Sequence, residues 1–156
     1  RIFQKNDYAC ITIGQISSFK KRKALFNTVK DLNVKLPALI SARATISRKS
    51  YIGEGSTVGH HAVLNFGCSI GSNCIINTAA IIEHDVIIED HCHISTGAIV
   101  NGGVFVGSGT FIGSGAIIYN NVKIGKGCIV GAGVVVSKNV KDRMILRKGG
   151  SDDQEN

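Results

Sequence analysis

The run Ile82-Glu83-His84-Asp85 is where residue types and spacing in this chain could do proton chemistry. Imidazole titrates near neutrality, and a carboxylate bonded to one ring nitrogen raises the basicity of the other. His84 is therefore a candidate general base, with Asp85 or Glu83 as its supporting acid. Four further histidines, His60, His61, His91 and His93, raise the alternative of a zinc site. On a stacked scaffold such a site draws ligands from neighbouring coils, about eighteen residues apart, together with a near neighbour. No two of the five histidines are eighteen or thirty-six apart, so no metal site is expected.

The scaffold itself is written as a period. From Ile40 to Lys141 a six-residue unit repeats seventeen times. Its first place, from Ile40, Ile46 and Ile52 through to Val136, is always aliphatic, and its fifth place never exceeds valine in size. A period of six is neither helical nor simply alternating, and a fixed self-similar period is read before local propensity. It predicts an all-β fold, a parallel β-helix with three short faces and eighteen residues per coil, one large and one small residue filling each face. Residues eighteen apart then lie above one another at a strand spacing of about 4.8 Å. Glycine recurs at the second place (Gly53, Gly59, Gly71, Gly107, Gly113, Gly125, Gly131), where corners of positive φ are expected. His84, the third residue of its unit, falls at a corner and points outward.

Cys68, Cys74, Cys92 and Cys128 all occupy the small fifth place and read as core residues rather than as a disulfide framework. Cys74 and Cys92, one coil apart, are the pair that could come within bonding range. An odd count with no CxxC favours a reducing cytoplasm. The net charge of +7 would suit nucleic acid or a phosphorylated ligand. Its lysines and arginines are scattered apart from Lys20, Lys21, Arg22 and Lys23, and no aromatic residues interleave them, so no nucleic-acid groove is expected. Apolar runs are all interrupted well short of the roughly 20 residues that span a membrane.

Three segments follow. Residues 1–39 read as a small β-α-β fragment: a strand over 8–14, Ser17 and Ser18 as helix caps, a helix from Lys20 to Leu32 using Leu25, Val29 and Leu32, and an extended return. Residues 40–141 are the solenoid. Residues 142–156 are a short amphipathic cap followed by a tail, Gly149 to Asn156, of disordered composition. Beginning at Arg1, the chain reads as a fragment or processed product.

The run from Ile76 to Asp85, followed by His91-Cys-His-Ile-Ser-Thr-Gly and Asn101-Gly-Gly-Val, resembles the sialic acid O-acetyltransferase type of bacterial sugar acetyltransferases. That group includes the N-acetyltransferases of UDP-4-amino-4,6-dideoxy sugars. The similarity covers the solenoid, and residues 1–39 are similar to the end of the family's α/β sugar-nucleotide domain. The resemblance implies a left-handed β-helix, an exception to the right-handed crossover rule, and acetyl-CoA as co-substrate without a metal. It implies His84 as catalytic base and Asp85 as its acid, with Glu83 in a less defined part. It implies acetyl-CoA contacts at His93, Asn77, Ser114 and Ala132, and a sugar-domain glycine at Gly14. A backbone amide near Gly102 or Gly103 would hold the oxyanion. A cytoplasmic homotrimer with its site between subunits, binding a UDP-linked sugar, completes what the family implies. The chain departs from it in lacking an opening glycine-rich turn and in replacing a closing GxPA segment by Leu146-Arg-Lys-Gly-Gly. An O-acetyltransferase acting on a sugar hydroxyl and a non-catalytic β-helix scaffold are the alternative readings.

Overall fold

The structure is a computed structural model that describes residues 7–149 and the backbone of Asp153–Gln154. Seventeen two-residue strands, from Leu39–Ile40 to Val135–Val136, recur every six residues and wind a left-handed parallel β-helix. They sort into three sheets in which each residue pairs with the one eighteen positions on. His93 pairs with Ile75 and Phe111, Ile81 with Val63 and Ile99, and Ile87 with Ser69 and Phe105. The sheet containing His93–Ile94 is called the first, that containing Ile81–Ile82 the second and that containing Ile87–Ile88 the third.

The core is the repeat read inward. First-place Ile70, Ile76, Ile82 and Ile94 and fifth-place Ala62, Cys74, Ala80 and Ala98 are fully buried. Removing such apolar side chains from water contributes about 1.5–3 kcal/mol for each large aliphatic. Ile40, on the first coil, stays half exposed because no coil lies beneath it. All five cysteines are free thiols, and burial pushes the Cys92 thiol well up from its ordinary range.

The corners differ from expectation. Positive φ belongs to the fourth place, at Gly55, Gly67, Gly97 and Gly103 and also at Asn73, Ala79, Asp85 and His91. The second-place glycines answer a different demand: a Cβ on Gly53 would lie 2.6 Å from the carbonyl carbon of Gly71 in the next coil. Close stacking of backbone, rather than backbone conformation, excludes side chains there.

The N-terminal segment is docked on the solenoid. The helix, α1 (Lys20–Asp31), buries Arg22, Phe26 and Val29, while Leu25 and Leu32 are exposed, so its packed face is rotated from the expected one. The reason is Arg22. Its buried guanidinium donates to the carbonyls of Ile11, Ile13, Gly55 and Asn73. Phe19, rather than a serine, occupies the N-cap without a side-chain bond; Ser18 Oγ accepts only the Lys20 amide, at 3.2 Å. The expected strand over 8–14 is reduced to a parallel bridge between Tyr8 and Lys35.

At the other end the register slips. Val140, read as a fifth-place residue, bridges Ile124 and so takes a first-place position sixteen residues on. Met144–Leu146 then joins the first sheet, Ile129 pairing with Ile145, so the expected cap is a shortened last coil. Of the tail read as disordered, Asp153–Gln154 pairs antiparallel with Met144 and Ile145; residues 150–152 and 155–156, like residues 1–6, lie outside the described residues. Among the described residues no helix is long and apolar enough to cross a membrane.

Candidate functional site

His84 and Asp85 form the corner between the second and third sheets, and their side chains are 61% and 66% exposed. Asp85 has φ +59, a conformation Asp tolerates better than most residues, and this corner turns its carboxylate back toward the ring. Asp85 Oδ2 lies 3.0 Å from His84 Nδ1. With Nδ1–H donating to the carboxylate, Nε2 is left as the proton acceptor. Glu83 is engaged elsewhere, its Oε2 accepting from Asn65 Nδ2 at 2.8 Å. Asp85 is thus the acid that faces the ring.

The coil above supplies a wall. A Cβ on Gly102 would lie 2.5 Å from His84 Nε2 and 2.6 Å from Cε1, so the imidazole rests directly against that glycine. The Gly103 amide donates to the His84 carbonyl at 2.9 Å and cannot serve an oxyanion. The Gly102 amide has no partner among the described residues. A proton acceptor and a free backbone donor therefore meet at one corner, the pair of groups that acyl transfer requires.

A second group gathers on the first sheet and on the corner between the first and second sheets. His93 is buried, and its Nδ1 donates to the Gln15 carbonyl at 2.6 Å. That bond leaves Nε2 as acceptor toward Asn77 Nδ2, 3.4 Å away. Burial lowers the pKa of His93, partly offset by the Gln15 carbonyl. Ser114 Oγ bonds Ser95 Oγ at 2.9 Å, and Ala132 stands exposed one coil above Ser114. The stacking is tight: a Cβ on Gly113 would lie 2.6 Å from the Ala132 amide. Gly14 sits in the exposed N-terminal loop with open space around it, and nothing in its geometry requires glycine.

Within the chain the two groups stay apart, because they occupy different corners of the prism. Sequence reasoning passed over Gln15, which fixes the tautomer of His93, and Gly67 and Ser95, which pack under or beside site residues. Gly67 lies eighteen positions before Asp85, and Ser95 nineteen before Ser114, so the coil period was the usable signal. Among the described residues no three His, Cys, Asp or Glu side chains converge to hold a metal.

Residues 103–138 match the family model described as bacterial transferase hexapeptide (six repeats). No curated protein matches the chain. Among solved structures, the acetyltransferase domain of PglB from Neisseria gonorrhoeae FA1090, also solved in complex with acetyl coenzyme A, is similar at 34% identity and a TM-score of 0.81. The match covers 83% of this chain and 63% of that one, so the chain spans less than two thirds of that domain. A His-to-Asn mutant of perosamine N-acetyltransferase from Caulobacter crescentus, in complex with CoA and GDP-perosamine, is 30% identical with a TM-score of 0.85, covering 90% of this chain and 67% of that one. WeeI from Acinetobacter baumannii AYE is 29% identical with a TM-score of 0.84, covering 94% and 71%.

Proposed function

The chain belongs to the hexapeptide-repeat sugar acetyltransferases, and we propose that it moves an acetyl group from acetyl-CoA to the amine of a nucleotide-linked amino sugar in bacterial glycan biosynthesis. The observation that carries this reading is the outward His84–Asp85 pair, its imidazole packed where a Gly102 side chain would stand, beside a Gly102 amide that has no partner among the described residues. The sugar amine attacks the thioester carbonyl while His84 Nε2 takes its proton. The oxyanion is held by the Gly102 amide; the C–S bond then breaks and the CoA thiolate recovers the proton from His84. No covalent acyl-enzyme is needed. The UDP-4-amino-4,6-dideoxy sugars come first among acceptors, and the GDP-perosamine held by the Caulobacter protein adds GDP-linked amino sugars.

Acetyl-CoA would lie along His93, Asn77, Ser114 and Ala132, with Gly14 on the sugar-nucleotide side, in a domain of which residues 1–39 are the end. Because that row stands on a different corner from His84, the complete site needs a second copy. The outer face of the second sheet, between the two corners, supports a trimer. Its outward residues Val63, Ile81, Ile99, Ile117 and Val135 are aliphatic in five successive coils. Packing that face around a three-fold axis brings the His84 corner of one protomer against the Ser114 corner of the next. A cytoplasmic setting suits nucleotide-linked substrates and the free thiols.

The test is acetyl-CoA turnover against a panel of UDP- and GDP-linked amino sugars and sialic acids, with His84→Ala beside the unaltered protein. A fall of about 10²–10⁴-fold in kcat is expected for loss of a general base. Full activity of His84→Ala with the true acceptor would refute the mechanism.

A further inference from the structure

Asp85 can support His84 only if its carboxylate stays at the height of Nδ1, and that height is set from the coil below. Oδ2 lies 3.0 Å from His84 Nδ1, while Oδ1 lies 2.5 Å from the point where a Cβ on Gly67 would stand. Real Cβ atoms essentially never come so close, so with a side chain at Gly67 something must shift, and the group free to shift is the exposed Asp85 carboxylate itself. Turning the carboxylate away from it, about Cα–Cβ or Cβ–Cγ, moves both oxygens together and so carries Oδ2 off the imidazole. The coils on either side are locked, because the Asp85 amide donates to the Phe66 carbonyl at 2.9 Å. The clash is therefore not relieved by a local shift of backbone.

We propose that Gly67 is a positioning residue for the His84–Asp85 pair: its missing side chain is the space that lets Asp85 hold Nδ1–H and so keeps Nε2 as the proton acceptor. Glycine beneath a fourth-place Asx is also a general packing device of this corner, since Gly103 lies in the same way beneath Asn121. What distinguishes Gly67 is that the second oxygen of the residue above it holds His84. The proposal rests on His84 acting as the base, but its geometric core concerns the ring alone and is read without turnover.

Gly67 has φ +75, so a substitution adds backbone strain to the clash. Gly127 separates the two effects. It has φ +63, and its nearest neighbour to an added Cβ is Arg143 Cγ at 3.8 Å, an ordinary contact. Gly127→Ala therefore carries the strain alone, and Gly67→Asn places a Cβ at the site with a residue that tolerates positive φ.

The experiment uses the full chain with ¹⁵N-labelled histidine. His84 ring-nitrogen signals are identified by their loss in His84→Ala. In the unaltered protein and in Gly127→Ala, Nδ1 of His84 is expected to be the protonated nitrogen in the neutral ring. In Gly67→Ala and Gly67→Asn, that tautomer is expected to be depleted. Turnover of whichever nucleotide-linked amino sugar the panel identifies supplies a double-mutant cycle with Asp85→Ala. Gly67→Ala lowers kcat by about tenfold alone and not further in the Asp85→Ala background, as for residues acting through one interaction. Unchanged ring-nitrogen signals in both Gly67 variants would overturn the proposal, as would additive losses in the cycle. If His84→Ala stayed fully active, the assigned chemistry would fail, while tautomer depletion in the Gly67 variants would still support the positioning role.

Discussion

Gly102→Ala is the sharpest test of how the solenoid presents His84, the proposed base. Gly102 does not have a positive φ, so alanine brings no backbone strain, and the Gly102 amide is kept. The whole effect comes from one methyl group placed 2.5 Å from His84 Nε2, 2.6 Å from Cε1 and 3.1 Å from Cδ2. Reaching the 3.4 Å of an ordinary contact requires the ring to move by about 0.9 Å, with Nε2 displaced most. Misplacing a reacting group by about 1 Å can cost on the order of 10²-fold in rate. The ring is more than half exposed and its displacement leaves the core untouched, so the folded state should lose little stability. Expected, then, are a roughly hundredfold lower kcat, an unchanged thermal midpoint and retained acetyl-CoA binding by calorimetry. Wild-type kcat in Gly102→Ala would refute the placement of the imidazole against the coil above.

Three further outcomes follow from other parts of the molecule. Replacing Arg22 by methionine removes a buried cation bonded to four carbonyls and should cost on the order of 3 kcal/mol; hydrogen exchange should rise across residues 7–36 while the solenoid stays protected. Ile99→Asp puts a charge in the middle of the second sheet's outer face, and if that face builds the proposed trimer, sedimentation should show a trimer for the unaltered protein and monomers for the variant, with lost turnover but an intact β-helix. His91 and His93 are both held below the ordinary histidine range, chiefly by burial, with Lys23 and Arg22 adding to it and Asp90 opposing it at His91. A depressed folded pKa means that the unfolded chain binds the proton first. Their contribution is complete above the unfolded value of about 6.5 and is lost as the pH falls through the folded values. Urea midpoints should therefore drop between pH 7.5 and 5.5, and drop less in His91→Asn, which keeps a residue tolerant of the φ of +61 at that corner.

The solenoid was legible because its rules are short-range: a large aliphatic at place one and a small residue at place five recur every six residues, and each carries its own burial. The docking of the N-terminal segment was not, because Arg22 reaches partners 33 and 51 positions away, and a lysine-rich run gives no hint that one of its cations is buried. The glycines were legible as corner residues but were assigned the wrong demand, since close approach between coils is a property of two hexads and no single one reveals it. The same reasoning applies to the candidate site. Read along the chain, His84 has only Glu83 and Asp85 for company. Read up the coils, it stands beneath Gly102, and its acid stands above Gly67. In a β-helix the neighbours that shape a side chain are eighteen residues away, so the environment of the proposed base is written in columns. Substituting the column should alter the chemistry of His84 while leaving the run from Ile82 to Asp85 unchanged, which is why Gly67 and Gly102 discriminate better than further changes to the histidine itself.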